Sequence, residues 1–183
     1  KIRLTTEEAY RVHADIIDWG KRYSTDRVPD QALGADRLTL RLMQWAMHDW
    51  QRVQRMNRFA AGTWIPRLQL DVLPSLFCAA HAVIVRRTAP TTVDDYVDAG
   101  RAVQRFWLTA SALGLQHQPE MTPLIFSRYV REKRVFSQAA SAQVLAEQTA
   151  DLTRAILGPA WDRAVWLGRV GRAAAPPARS VRK

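Results

Sequence analysis

The segment best suited to chemistry is Gln118-Pro119-Glu120-Met121. It follows a long helical pattern that stops at Gly114-Leu115. A helix that ends at a glycine and feeds an extended segment with a Pro-Glu turn can bring backbone groups against a flat ligand. An ordinary exposed loop after a helix accounts for the same residues. Arg179 and Arg182 form a second set near the end of the chain. Guanidinium forks suit bidentate phosphate contact; a solvated basic terminus is the plainer account. Arg101 and Arg105 fall on successive turns of one helix face and could meet phosphate, a subunit or solvent.

Other chemistries find less support. His13, His48, His81 and His117 show no His-x-x-x-His or Glu-x-x-His pairing, which argues against a metal centre. His81, inside AAHAVIV, reads as a buried histidine with satisfied nitrogens; His117 lies beside the candidate segment and is the one to test. The single cysteine, Cys78, allows no internal disulfide and reads as a small core residue. No nucleophile elbow and no phosphate-cradling glycine loop is present. Trp45, Trp50, Met43 and Met47 suit a pocket, a core or a subunit contact.

The elements that must position these residues follow from pattern and punctuation. Thr5 or Thr6 is expected to cap a helix, Thr5-x-x-Glu8 having capping-box spacing, and that helix to run to about Trp19 before Gly20. Asp36 caps a second helix, Arg37 to about Phe59, with a broad apolar face. Gly62 to Pro74 is expected to be irregular. The latter part of Leu76 to Val85 reads as a buried strand. Thr91 or Thr92 caps a helix over Val93–Leu113. A short strand or extended link at Leu115–Gln118 follows, then helices over Thr122–Val135 and Ala139–Leu157, the last stopped by Gly158-Pro159. Ala164–Val170 reads as a strand and Gly171–Lys183 as an extended tail. Helices outnumber strands and separate them, which favours an α+β layered domain over an all-α bundle.

Composition sets outer bounds. The chain has 183 residues, enough for one domain or slightly more, and 48% hydrophobic content with seven Trp, enough for a sizeable core. Its apolar runs are too short to span a membrane, no signal peptide is visible, and cysteine usage is compatible with the cytoplasm. The chain opens at Lys1, so the expectation is that residues precede it. The formal net charge is +10, but the basic residues are spread along the chain and no nucleic-acid module is recognisable.

Several motifs carry a family resemblance. AAHAVIV is followed by DAGRAVQRFWLTASALGL, then QHQPEMTP, then WLGRVGRA and PPARSVRK. This order resembles the second half of an FMN-dependent nitroreductase. The first 75 residues resemble a divergent branch with long helical insertions, sometimes fused to a ThiF-like adenylating domain. The resemblance implies an α+β fold with a central, mostly antiparallel sheet flanked by helices. It divides the chain into a helical part, 1–75, and a flavin-binding part, 76–183. It implies that Gln118, Pro119, Glu120 and Met121 line the flavin edge and that Arg179 and Arg182 grip its phosphate. It implies a homodimer joined through helices 37–59 and 93–113, moving electrons from NAD(P)H to a small electron-poor acceptor. The family's opening Arg-Arg-Ser-x-Arg type motif has no counterpart near Lys1; either the chain is a fragment or this branch has lost it. Two alternatives therefore stand beside the enzyme: a degenerate flavin-fold module for assembly or regulation, and a basic nucleic-acid-binding protein.

Overall fold

The computed structural model describes residues 1–59, 62–174 and 179–180, with the side chains of Phe59, Ile65, Pro66, Arg179 and Ser180 left aside. Two compact units emerge, one of residues 1–76 with 174–183 and one of residues 77–173. The chain mixes helix with small sheets, an α+β protein.

The first unit opens with α1 (Ile2–Thr5) and α2 (Glu7–Ile16). The expected capping box does not form. The Thr5 and Thr6 hydroxyls donate back to the Ile2 carbonyl, at 3.3 and 3.2 Å, so Thr5 lies inside the first short helix. The helix also ends at Ile16, short of Trp19, because Ile17–Asp18 becomes β1. That strand pairs in parallel with β3 (Val28–Pro29), while β2 (Tyr23–Ser24) lies between them in sequence. Buried Asp30 ties down the connection, accepting from the Gly20 and Lys21 N–H groups at 3.0 and 3.2 Å.

Asp36 caps α3 (Arg37–Ala46), accepting from Leu38 N–H and Thr39 N–H. The expected helix to Phe59 breaks at Met47–Asp49 and resumes as α4 (Trp50–Phe59). Asp49 is the reason: its carboxylate accepts from the Gln51 N–H at 3.2 Å, an aspartate starting a new helix. Residues 62–74 are helical rather than irregular. They contain α5 (Trp64–Arg67), a π-helical turn Leu68–Val72, and the start of α6 (Leu73–Phe77). Pro66 falls in the first turn, where a missing N–H leaves no hydrogen bond unmade, whereas Pro74, which cannot donate, follows directly on the π-helical turn inside the continuous run 64–77.

The second unit is a three-stranded antiparallel sheet with three helices. Its elements are β4 (Ala80–Val85), α7 (Val93–Ala112), β5 (Gln116–Pro119), α8 (Thr122–Arg131), α9 (Ala140–Leu157) and β6 (Ala164–Gly171). The sheet order is β4-β6-β5, so both β4 and β5 are edges. That explains why β4 is half-exposed rather than buried as its apolar sequence suggests. Thr92 and Asp95 form a reciprocal capping box on α7. Ala142, Ala146 and Ala150 are buried at four-residue spacing along α9, where small side chains permit close approach of α8. Leu124 and Phe126 of α8 complete that core, and Phe136 packs 5.0 Å from Phe126. In the first unit, β7 (Arg179–Ser180) pairs in parallel with β2.

Candidate functional site

The geometry of the 118–121 segment is set by its strand register. His81 of β4, Arg169 of β6 and Gln118 of β5 stand directly opposite one another across the sheet. Side chains alternate between faces along a strand, so these three share one face, and Glu120 joins them two residues on. Arg169 is only 6% exposed. Its guanidinium donates to the Gln118 side-chain oxygen at 2.5 Å and to Glu120 Oε1 at 3.0 Å. Glu120 Oε2 lies 3.7 Å from His81 Nε2, and the Cys78 sulfur lies 3.8 Å from the same ring. A buried cation thus has a carboxylate and an amide oxygen as partners, which is what burying a charge requires.

The opposite face is aromatic. Trp166, buried on β6, packs 4.9 Å from Phe106 of α7. His117 lies 5.0 Å from Trp107 and 6.1 Å from both Phe106 and Trp166. Burial among these rings pushes the His117 imidazolium pKa below its ordinary value. Gly168 sits beneath the Trp166 ring; a Cβ there would meet that ring at 2.4 Å and the Gln118 carbonyl at 2.7 Å.

The backbone of β5 divides its groups between two sides. Glu120 N–H donates to the Leu167 carbonyl at 2.8 Å. In an antiparallel ladder, alternate residues turn their polar groups toward and away from the partner. The even-numbered residues therefore face β6. His117 N–H and C=O, with the Pro119 carbonyl, face away from β6, where no described strand pairs with them. Met121 follows as the N-cap of α8, with no side-chain cap and Pro123 inside the first turn. The amides starting that helix are therefore uncapped by any side chain, next to the strand's outer edge.

The sequence-derived candidates thus fall in different places. Gln118, Pro119, Glu120 and Met121 lie together at the β5–α8 junction, but the side chains of Gln118 and Glu120 turn to Arg169. Arg179 belongs by its backbone to the first unit, paired with Tyr23. Arg182 lies outside the described residues. His81 is not buried: its side chain is 45% exposed, because β4 is an edge. Cys78 is half-buried and unbridged. Arg101 pairs with Asp98 at 3.1 Å on an exposed face. Arg169 is the residue that sequence reasoning missed. Its signal was a lone charge inside the apolar strand WLGRV, since an arginine there must find partners on neighbouring strands.

The first unit holds a separate feature. Thr5, Trp50, Gln51, Gln54, Arg55 and Arg58 line an open trough of about 640 Å³. Trp50 therefore borders a cavity, whereas Trp45 is more than half exposed. Among the described residues no group of three or more histidine, cysteine or acidic side chains could hold a metal ion. No described helix is long and apolar enough to cross a membrane. The chain matches no protein-family model, and comparison with curated proteins and with solved structures finds no match.

Proposed function

We propose that the chain is an FMN-dependent oxidoreductase of nitroreductase type, with its second unit forming part of a layered flavin fold. It would work as a homodimer in the cytoplasm, passing electrons from NAD(P)H to a small electron-poor acceptor. The observation that carries the reading is the outer edge of β5, which no described strand covers. His117 N–H and the carbonyls of His117 and Pro119 face outward there, beside the uncapped start of α8. A row of alternating donors and acceptors suits the polar rim of an isoalloxazine ring, whose N3–H donates and whose O2, O4 and N5 accept. Bound FMN supplies the redox chemistry. The chain's own groups orient the ring, with Trp107 and His117 packed against each other beside it.

Exposed apolar residues support the homodimer. On α7, Val93, Val97, Trp107 and Leu108 are all about half exposed or more. On α3, Leu38, Leu42 and Trp45 form a second uncovered stripe. A second reading, the non-catalytic module, is favoured by one specific fact. Arg169 donates to the Gln118 side-chain oxygen and to Glu120 Oε1, which commits these two acceptors to the sheet rather than to a ligand.

Reconstitution separates the two. The purified chain is incubated with FMN, passed through a desalting column and scanned in the visible range. Retained bands of oxidised flavin that bleach with NADH or NADPH are expected. A colourless protein after this procedure selects the module.

A further inference from the structure

Four arginines lie over aromatic rings: Arg128 and Arg131 in the last turn of α8, Arg134 in the turn after it, where its carbonyl accepts from Gln143 at the start of α9, and Arg154 in the last turn of α9. Arg131 and Arg154 lie over Trp161, with their central guanidinium carbons 5.0 and 4.4 Å from its centre. Arg134 lies 5.4 Å over Tyr129 and Arg128 lies 5.0 Å over Tyr96. Only Arg128 is matched by a carboxylate, donating to Glu132 at 2.6 Å. Arg131, Arg134 and Arg154 make no ion pair among the described residues, although Asp151 and Asp162 are close in sequence.

Three physical points follow. A guanidinium over a ring face is held there by the ring quadrupole and still offers N–H donors to an anion. Arg131 and Arg154 share one indole, so they lie within about one Debye length of each other, roughly 10 Å, and an anion would relieve their repulsion. The backbone of Arg134 is set by a tight turn: Lys133 N–H bonds the Val130 carbonyl and Arg134 N–H bonds the Tyr129 carbonyl, at 3.1 and 2.8 Å. Helix C-termini favour cations, which accounts for the sign of the charge here. It does not account for the rings beneath it or the missing carboxylates. The field of Arg131 and Arg134 also reaches Glu132, adding to the Arg128 hydrogen bond that holds its carboxyl below the ordinary pKa.

We infer that this row of arginines docks the phosphodiester backbone of a nucleic acid, with Arg131, Arg134 and Arg154 each gripping a phosphate. Guanidinium groups spread from the start to the end of α9 suit a repeating chain of anions better than a single one. The inference stands apart from flavin binding and uses none of its residues.

The test is anisotropy of a short labelled single-stranded oligonucleotide, titrated with the whole chain at several salt concentrations. A duplex and a labelled polyglutamate peptide serve as comparisons. Binding that weakens linearly in log–log salt plots is expected, with polyglutamate weaker by tenfold or more. The triple variant R131Q/R134Q/R154Q should bind at least tenfold more weakly and lose about 2 from the magnitude of the single-strand salt slope. R131K/R134K/R154K keeps the charge without the fork and should also bind less tightly than the original, which preserves the test if the glutamine variant misfolds. R101Q/R105Q should bind as the original does. No binding at low salt, equal binding of polyglutamate, or an unchanged slope and affinity in the glutamine variant overturns the inference.

Discussion

The two faces of β6 solve the same packing problem in opposite ways. One face holds Trp166 against Phe106 and His117, with Gly168 leaving room for the ring. The other buries Arg169 and satisfies it with Gln118 and Glu120. The aromatic face depends on shape, and the ionic face on partners. Shape is unforgiving of added volume, whereas a charge network is unforgiving of a missing member. The two faces should therefore fail under different substitutions.

The largest effect is expected from Gly168→Ala. The added methyl would sit inside contact distance of both the Trp166 ring and the Gln118 carbonyl. One of these is backbone, so the β5–β6 pairing itself must move. A loss of about 3 kcal/mol, the upper part of the usual overpacking range, is expected from urea unfolding followed by tryptophan fluorescence. A variant as stable as the original would show that the ring is not held where the structure has it.

Arg169→Leu comes next. It removes a buried cation and leaves Glu120 and Gln118 without their shared donor. Glu120 keeps 23% of its side chain in contact with solvent, which softens the penalty. A loss of about 2 kcal/mol is expected, less than the full cost of orphaning a buried charge. Glu120→Gln sharpens the comparison. It keeps an acceptor for Arg169 and removes the charge, so a loss of about 1 kcal/mol is expected, since charge-assisted hydrogen bonds are roughly twice as strong as neutral ones. If the glutamine variant matches Arg169→Leu, the charge itself, not the hydrogen bond, holds this face.

The two faces were also unequally legible in sequence. The α7–β5 transition was readable because Gly114 marks it. With φ at 69°, it sits in the left-handed region that glycine tolerates, and the Leu115 N–H closes the turn on the Ala110 carbonyl at 2.8 Å. The α8 end was misplaced toward Val135 because the equivalent position is Lys133, at φ 51°. The same turn forms there with a residue that carries no such signal. The break at Asp49 inside 37–59 was hidden for a related reason: a good apolar period continued through it. Edge position was hidden as well. Nothing in AAHAVIV says that β4 lies outside β6, so its histidine looked buried. Gln118 and Glu120 were found as candidates, but their cross-strand partner was not. A register between residues about fifty positions apart leaves no local pattern.

The smallest effect tests the aromatic face through its one titratable member. Burial lowers the folded-state pKa of His117, so near and below its ordinary value of about 6.5 the unfolded chain holds more protons at this site than the folded chain. Stability from this source is present above that pH and is lost as pH falls from 6.5 toward the folded value. His13 has a lowered pKa through burial and the nearby Arg3 charge, and contributes a slope of the same sign. The measurement is therefore a difference: the fall in unfolding free energy between neutral and mildly acidic pH, in the original chain and in His117→Gln. The variant should be somewhat less stable at neutral pH, through lost ring contact, and should fall less steeply on acidification. The residual slope in the variant belongs to His13 and other groups. An identical pH slope in both would mean that His117 is as open to water in the folded chain as in the unfolded one. The rings of Phe106, Trp107 and Trp166 would then not shield His117 as the structure places them.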